Sequence, residues 1–190
     1  MYGADMEIIN KCLEGDDSAF EELVSRYKGI VFNTSYRMLG SYEEAEDASQ
    51  EVFIKMYRYL RRYDPQYKFS TWAIKITTNY CLDLLRKRKG ETVPIETQYD
   101  LKDEGFTPEE EYVRHEKQQM VKKAVDSLPP KYKELIVLFH NRGLSYSEIM
   151  EVTGESLTIV KNRLYRARQM LKDLLKDMDK EGEGLWNAVK

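Results

Sequence analysis

The chain has 190 residues with 30 basic and 33 acidic side chains, a net charge of −3 and 42% hydrophobic residues. That hydrophobic share is ordinary for a globular protein, no apolar run approaches the roughly 18 residues of a membrane span, and no basic segment runs into an apolar stretch as in a secretory signal, so a cytoplasmic protein is expected. The two cysteines, Cys12 and Cys81, lie far apart outside any C-x-x-C pattern with only His115 and His140 for company, which argues against a metal site, a disulfide framework or a bound cofactor.

Residues 1–15 make at most a short helical arm with a stop at Gly15. Ser18 and Glu21 form an S-x-x-E capping box, predicting a helix that buries Ala19, Phe20, Leu23, Val24 and Tyr27 and runs past Gly29 to Gly40. Ser41 and Glu44 repeat the box. They open a helix to about Leu60 with Ala45, Ala48, Val52, Met56 and Tyr59 or Leu60 on its inner face. Its outer face, with Asp47, Gln50, Glu51, Lys55 and Arg58, fits either plain solvation or a binding partner. Next, Arg61 to Trp72 gathers Tyr63, Tyr67, Phe69 and Trp72 around Asp64-Pro65 among basic residues. Such rings either stack unpaired bases, at about 1–3 kcal/mol per base, or plug the core between two helices. A long helix from Ser70 to Lys89 follows, ending in Asp83, Arg86, Lys87, Arg88 and Lys89 before Gly90.

From Glu91 to about Pro108 the periodicity disappears, which predicts an acidic flexible linker between two small helical domains, 1–90 and 109–178. Residues 91–111 hold eight acids against Lys102, a net of −7, which leaves +4 on the rest of the chain. That excess is local: 155–176 carries six bases and two acids, and 79–89 four bases and one acid. Thr107-Pro108-Glu109-Glu110 opens a helix that buries Tyr112, Met120, Val121, Ala124 and Val125, and Pro129-Pro130 separates it from the apolar stretch Lys131 to His140. Ser145 and Glu148 then cap a short helix ending at Gly154. The last helix places Leu157, Val160, Leu164, Ala167 and Leu171 on one face and Lys161, Asn162, Arg163, Tyr165, Arg166, Arg168 and Gln169 on the other. Helix, Gly turn and basic helix fit a DNA-binding helix-turn-helix, and equally an ordinary helical hairpin with a solvated face. The expected fold is all-α. No P-loop, H-E-x-x-H or G-x-S-x-G occurs, so no enzyme is expected.

Four blocks, in order, resemble bacterial sigma factors of the extracytoplasmic-function group over about Ser18 to Leu175. They are AEDASQEVFIKMY (45–57), KFSTWAIKITTNYCLDLLRKRK (68–89), LPPKYKELIVL (128–138), and LSYSEIMEVTG with VKNRLYRAR (to Arg168). The resemblance implies a dissociable subunit that binds core RNA polymerase and directs it to promoter DNA, without a small-molecule substrate. Asp47, Gln50, Glu51 and Lys55 stand on the helix that meets the polymerase. Tyr67, Phe69, Trp72, Asn79, Asp83, Arg86 and Arg88 fall in the loop and helix that melt and read the minus-ten element as a non-template single strand. Ser156, Thr158, Lys161, Asn162, Arg163, Arg166 and Arg168 fall where the family grips the minus-thirty-five duplex. The family threads its linker near the polymerase active site and RNA exit path, and its members are commonly held by an anti-sigma factor, often membrane-anchored. Three departures stand out: Met150 replaces a usual Ala, Glu155-Ser156 an apolar residue and Pro, and Thr158-Ile159 a Gly-Thr pair. The segment 179–190 lies outside the resemblance and reads as a tail.

Overall fold

Eight α-helices account for most of the residues that the computed structural model describes, 2–88 and 108–178. They are α1 (Tyr2–Leu13), α2 (Asp17–Leu39), α3 (Tyr42–Tyr59), α4 (Phe69–Lys87), α5 (Pro108–Asp126), α6 (Pro130–Ile136), α7 (Tyr146–Thr153) and α8 (Leu157–Met178). A 3-10 turn, Leu60–Arg62, ends α3, and a π turn, Val137–Asn141, extends α6. The expected linker, apart from Pro108, and the tail 179–190 lie outside the described residues.

The helix boundaries follow from local chemistry, with one correction. Asp16, not Ser18, caps α2: its Oδ1 accepts from the N–H groups of Ser18 and Ala19 at 2.9 and 3.3 Å. A carboxylate there satisfies two orphan donors and also meets the positive end of the helix dipole, which the Ser18 hydroxyl two residues later does not. At Ser41 half of the expected box forms, because Glu44 N–H donates to Ser41 Oγ while the Glu44 carboxylate turns to Arg88. At Ser145 both halves form, with Glu148 N–H donating to Ser145 Oγ and Ser145 N–H to Glu148. Gly40 and Gly154 end α2 and α7 at φ 84° and 72°, left-handed positions that a Cβ would strain.

Most predicted inward faces are buried. In α3 they are Ala45, Ala48, Val52 and Met56, with Leu60 at 4% exposure, so Leu60 rather than the exposed Tyr59 continues the face. On α8 Val160, Leu164, Ala167, Leu171 and Leu175 are buried, but Leu157, the first residue of the helix, is 40% exposed. Cys81 is fully buried, and burial pushes its thiol up to about 12, which makes it an inert core residue.

The helices form two clusters that are packed on each other. Helices α1–α4 close over Leu23, Val31, Val52, Met56 and Phe69. Helices α5, α6 and α8 close over Leu128, Ile136, Ala167 and Leu171, and α7 packs on α8 through Ile149 and Val152. Each cluster also lends a side chain to the other. Ile74 of α4 lies among Leu135, Leu138, Ile149, Val152 and Leu164, and Val137 lies among Met38, Leu39, Ala48, Cys81 and Leu82. Polar contacts flank the exchange: Lys68 to Glu148 at 2.8 Å, Lys75 Nζ to the Glu151 carbonyl at 3.0 Å, and Lys122 Nζ to the Tyr36 hydroxyl at 3.0 Å.

Behind them Lys133 and Asp126 pair at 2.7 Å with side chains only 6% and 8% exposed. Sequence patterning assigned neither Lys133 nor its neighbour Glu134 to the interior, yet each is 4% exposed. Burial raises the Glu134 carboxyl to about 7, with the nearby Glu155 adding to the effect. Unfolded, it would ionise near 4.5, so between those values the native state holds a proton that the unfolded chain has lost. Stability must therefore fall as pH rises from about 4.5 through 7. Glu134→Gln is expected to raise the melting temperature at pH 8 while leaving it nearly unchanged at pH 5. Equal shifts at both values would refute the assignment.

Candidate functional site

The structure sorts the predicted site residues into those that face outward and those held by the fold. On α3, Asp47, Gln50 and Glu51 are exposed in a row, while Lys55 is half-buried with Nζ 5.4 Å from the Tyr80 ring centre. Beside this row a shallow groove of about 410 Å³ runs between α2 and α3, lined by Lys28, Gly29, Phe32, Glu46, Ser49, Gln50 and Phe53. Lys28 and Phe32 were not anticipated. A glycine in mid-helix was the available signal: Gly29 has nothing within 4 Å of where a Cβ would stand, so its face of α2 opens onto free space.

The aromatic segment divides between its two readings. Phe69 is 2% exposed, with its ring edge-on to Tyr27 at 4.9 Å and to Tyr63 at 5.2 Å, and Trp72 leans on it at 5.2 Å while remaining half-buried. As folded, Phe69 is a core residue and presents no ring face to a base. Tyr67, by contrast, is 44% exposed, on a turn in which Asp64 accepts from Gln66 N–H at 3.0 Å and Tyr63 hydroxyl donates to the Tyr67 carbonyl at 2.6 Å. The ring of Tyr67 is thus offered to solvent by a loop whose neighbours are anchored in the core.

Farther along α4, Asn79 is exposed, and Asp83 and Arg86 pair at 2.9 Å on the surface. Arg88 is half-buried, bridging to Glu44 and donating to the Leu39 carbonyl at 3.5 Å, so its charge ties α4 to α2 and α3. Ser156 is exposed just before α8, and on α8 Thr158, Lys161, Asn162 and Arg166 are exposed on one side with Tyr165, which is 64% exposed. Lys161 lies 5.8 Å from the Tyr146 ring centre and Arg168 5.0 Å from that of Phe139, each cation resting on a ring of the preceding elements. Arg163 pairs with Glu155 at 2.5 Å. The chain thus carries an acidic-polar face beside a groove at one end and two basic faces, on α4 and α8, elsewhere.

This order of parts is matched in known proteins. Residues 23–91 match sigma-70 region 2 and residues 118–171 match sigma-70 region 4. The chain is 34% identical over 179 residues to the ECF RNA polymerase sigma factor SigW of Bacillus subtilis, spanning 90% of this chain and 96% of that one. It belongs to the extracytoplasmic-function sigma factors. As such it directs RNA polymerase to promoters and is not an enzyme. Among solved structures, CnrH in complex with the cytosolic domain of CnrY shares 28% identity and a TM-score of 0.66, covering 93% of this chain and 99% of CnrH. The sigma factor RpoE in complex with the anti-sigma factor NepR from Bartonella quintana has the same TM-score of 0.66 at 21% identity, covering 83% of this chain and 96% of RpoE.

In this sigma factor the region 2 match runs from Leu23 of α2 through α3, the aromatic loop and α4, and the region 4 match from Gln118 of α5 to Leu171 of α8. No helix of the described residues is long and apolar enough to cross a membrane, and no group of His, Cys, Asp and Glu among them is arranged to hold a metal ion.

Proposed function

We propose that this sigma factor works in the cytoplasm through three separate surfaces. The α3 face of Asp47, Gln50, Glu51 and Lys55, with the groove beside it, docks on core RNA polymerase. Tyr67, Trp72, Asn79, Asp83 and Arg86 open the duplex and read the minus-ten element on the non-template strand, with Phe69 and Arg88 holding the loop and helix in place. The α7–α8 pair is a helix-turn-helix that grips the minus-thirty-five duplex through Ser156, Thr158, Lys161, Asn162, Arg166 and Arg168. An anti-sigma factor holds the chain inactive until it is needed. The observation that carries this reading is the pairing of α4, which opens beside the exposed Tyr67 and ends in the exposed Arg86 and Lys87, with the exposed cationic face of the helix after the Gly154 turn. A flipped base loses stacking energy that an exposed ring returns, whereas a duplex needs phosphate and groove-edge contacts along a basic helix.

Reconstitution with core RNA polymerase on a promoter library, read as specific initiation, tests the whole; a chain that fails to bind polymerase sinks it. Within that assay Tyr67→Ala is expected to slow strand opening about tenfold, as measured by a fluorescent base analogue in the minus-ten element, and to leave polymerase affinity unchanged. A stacked base is worth about 1–3 kcal/mol, which sets that scale. Equal loss of polymerase binding would instead place Tyr67 at the docking surface.

A further inference from the structure

Basic residues on a DNA-facing helix are expected to point at DNA, and Arg163 does not. It follows Val160 by three positions and precedes Leu164 by one, both buried, so it rises at the edge of the packed face rather than from its outer side. Its Nη1 lies 2.5 Å from Oε1 of Glu155, with side-chain exposures of 23% and 20%. The other Glu155 oxygen, Oε2, is buried with no hydrogen-bond partner. A second acid, Glu134 of α6, is 4% exposed and close enough for the Arg163 charge to act on it. The guanidinium is therefore held by the carboxylate of the turn that launches α8, beside the buried Glu134 of α6. Lys161, Asn162 and Arg166, within three positions of Arg163, are exposed.

A half-buried arginine paired with a half-buried carboxylate gains more from it than from an exposed phosphate, because the low local dielectric strengthens the pair and the arginine would pay to leave it. We propose that Glu155 withdraws Arg163 from promoter DNA, so that Arg163 is a positioning residue fixing the turn into α8 and Glu155 is a determinant of minus-thirty-five specificity. The inference rests on the assignment of α7–α8 as the minus-thirty-five reader. Base reading then falls to Ser156, Thr158, Asn162 and Arg166, and the angle at which α8 enters the groove is held by the Glu155–Arg163 pair.

The test uses holoenzyme assembled from core polymerase and the full chain, on promoters carrying every single-base change in the minus-thirty-five element. Affinity is measured against salt, and each variant is checked by thermal unfolding. R163A is expected to weaken binding about threefold or less, uniformly across sequences, with an unchanged salt slope. E155Q/R163M removes both charges and should restore both affinity and melting temperature. E155Q alone frees the guanidinium, and should steepen the salt slope by about one unit or create a preference at one base pair. R163A with a salt slope flattened by about one unit, or with an altered preference at one base pair that E155Q/R163M does not repair, would overturn the proposal. So would E155Q with slope and preferences both unchanged. A wild-type holoenzyme indifferent to every minus-thirty-five base pair would mark failure of the underlying assignment instead.

Discussion

Replacing Asp126 with alanine is expected to cost about 3–5 kcal/mol of folding stability, the usual penalty for stranding one member of a buried ion pair. Lys133 would be left 6% exposed with its carboxylate partner gone, and its remaining charged neighbours, Arg88 and Lys122, are both cations. Burial already holds the Lys133 ammonium below the usual lysine range, and Asp126 is what offsets it. For a chain of this size the loss corresponds to a fall in melting temperature of about 10 °C. The double variant D126A/K133M removes both charges and should recover most of the loss, since an apolar side chain of similar length needs no partner. Urea denaturation of the two variants decides the matter: a D126A penalty under about 1 kcal/mol would mean that the pair behaves like a solvent-screened bridge.

The second large effect concerns the packing of the two clusters on each other. In the proposed assignment α4 reads the minus-ten element and α8 the minus-thirty-five element, sites about 25 base pairs apart, or about 85 Å at 3.4 Å per pair. Yet Ile74 of α4 shares a core with Val160 and Leu164 of α8. Both elements cannot be held in that arrangement, so the clusters must part. Keeping Ile74 buried contributes about 1.5–3 kcal/mol to the closed form. Ile74→Asp on one side and Val137→Asp on the other should each separate the clusters, seen as a larger radius of gyration in X-ray scattering. Each should tighten apparent promoter binding by holoenzyme about tenfold or more, because the opening cost is removed. Separation with no gain in affinity for either variant would show that opening does not limit binding.

Much of this fold was written in short-range pattern. Capping boxes, glycine stops and the 3.6-residue stripes of α3 and α8 depend on residues within one or two turns of each other, and they placed the helices to within a few positions. What escaped depended on distant partners. Lys133 and Glu134 look like solvated residues until α5, α8 and the 155 turn arrive around them. Phe69 and Trp72 have the same composition whether they face a base or Tyr27, and only the packing of α2 against α4 decides that Phe69 turns inward. Arg163 looked like Lys161 and Arg166 in a helical projection, and the acid that separates it from them lies outside the helix. The exchange of Ile74 for Val137 left no trace in periodicity, since each is one more apolar residue on an already apolar face.

The π turn at 137–141 has a consequence for how the chain tolerates insertions and deletions. Arg142 N–H reaches back five residues to the Val137 carbonyl at 3.0 Å, so the turn holds one residue more than an α-helical turn would. An α turn makes the same revolution with one residue fewer, so removing one residue here lets the turn close as α with the elements after it nearly in register. Removing one from the α-helical part of α6 instead would rotate everything after it by about 100° and draw it in by about 1.5 Å. Then α7 and α8 would swing away from Ile74, and the contacts of Lys68 with Glu148 and of Lys75 with Glu151 would be lost together. The π turn is thus a stretch where a change of length by one residue can be absorbed without resetting the angle between the two clusters.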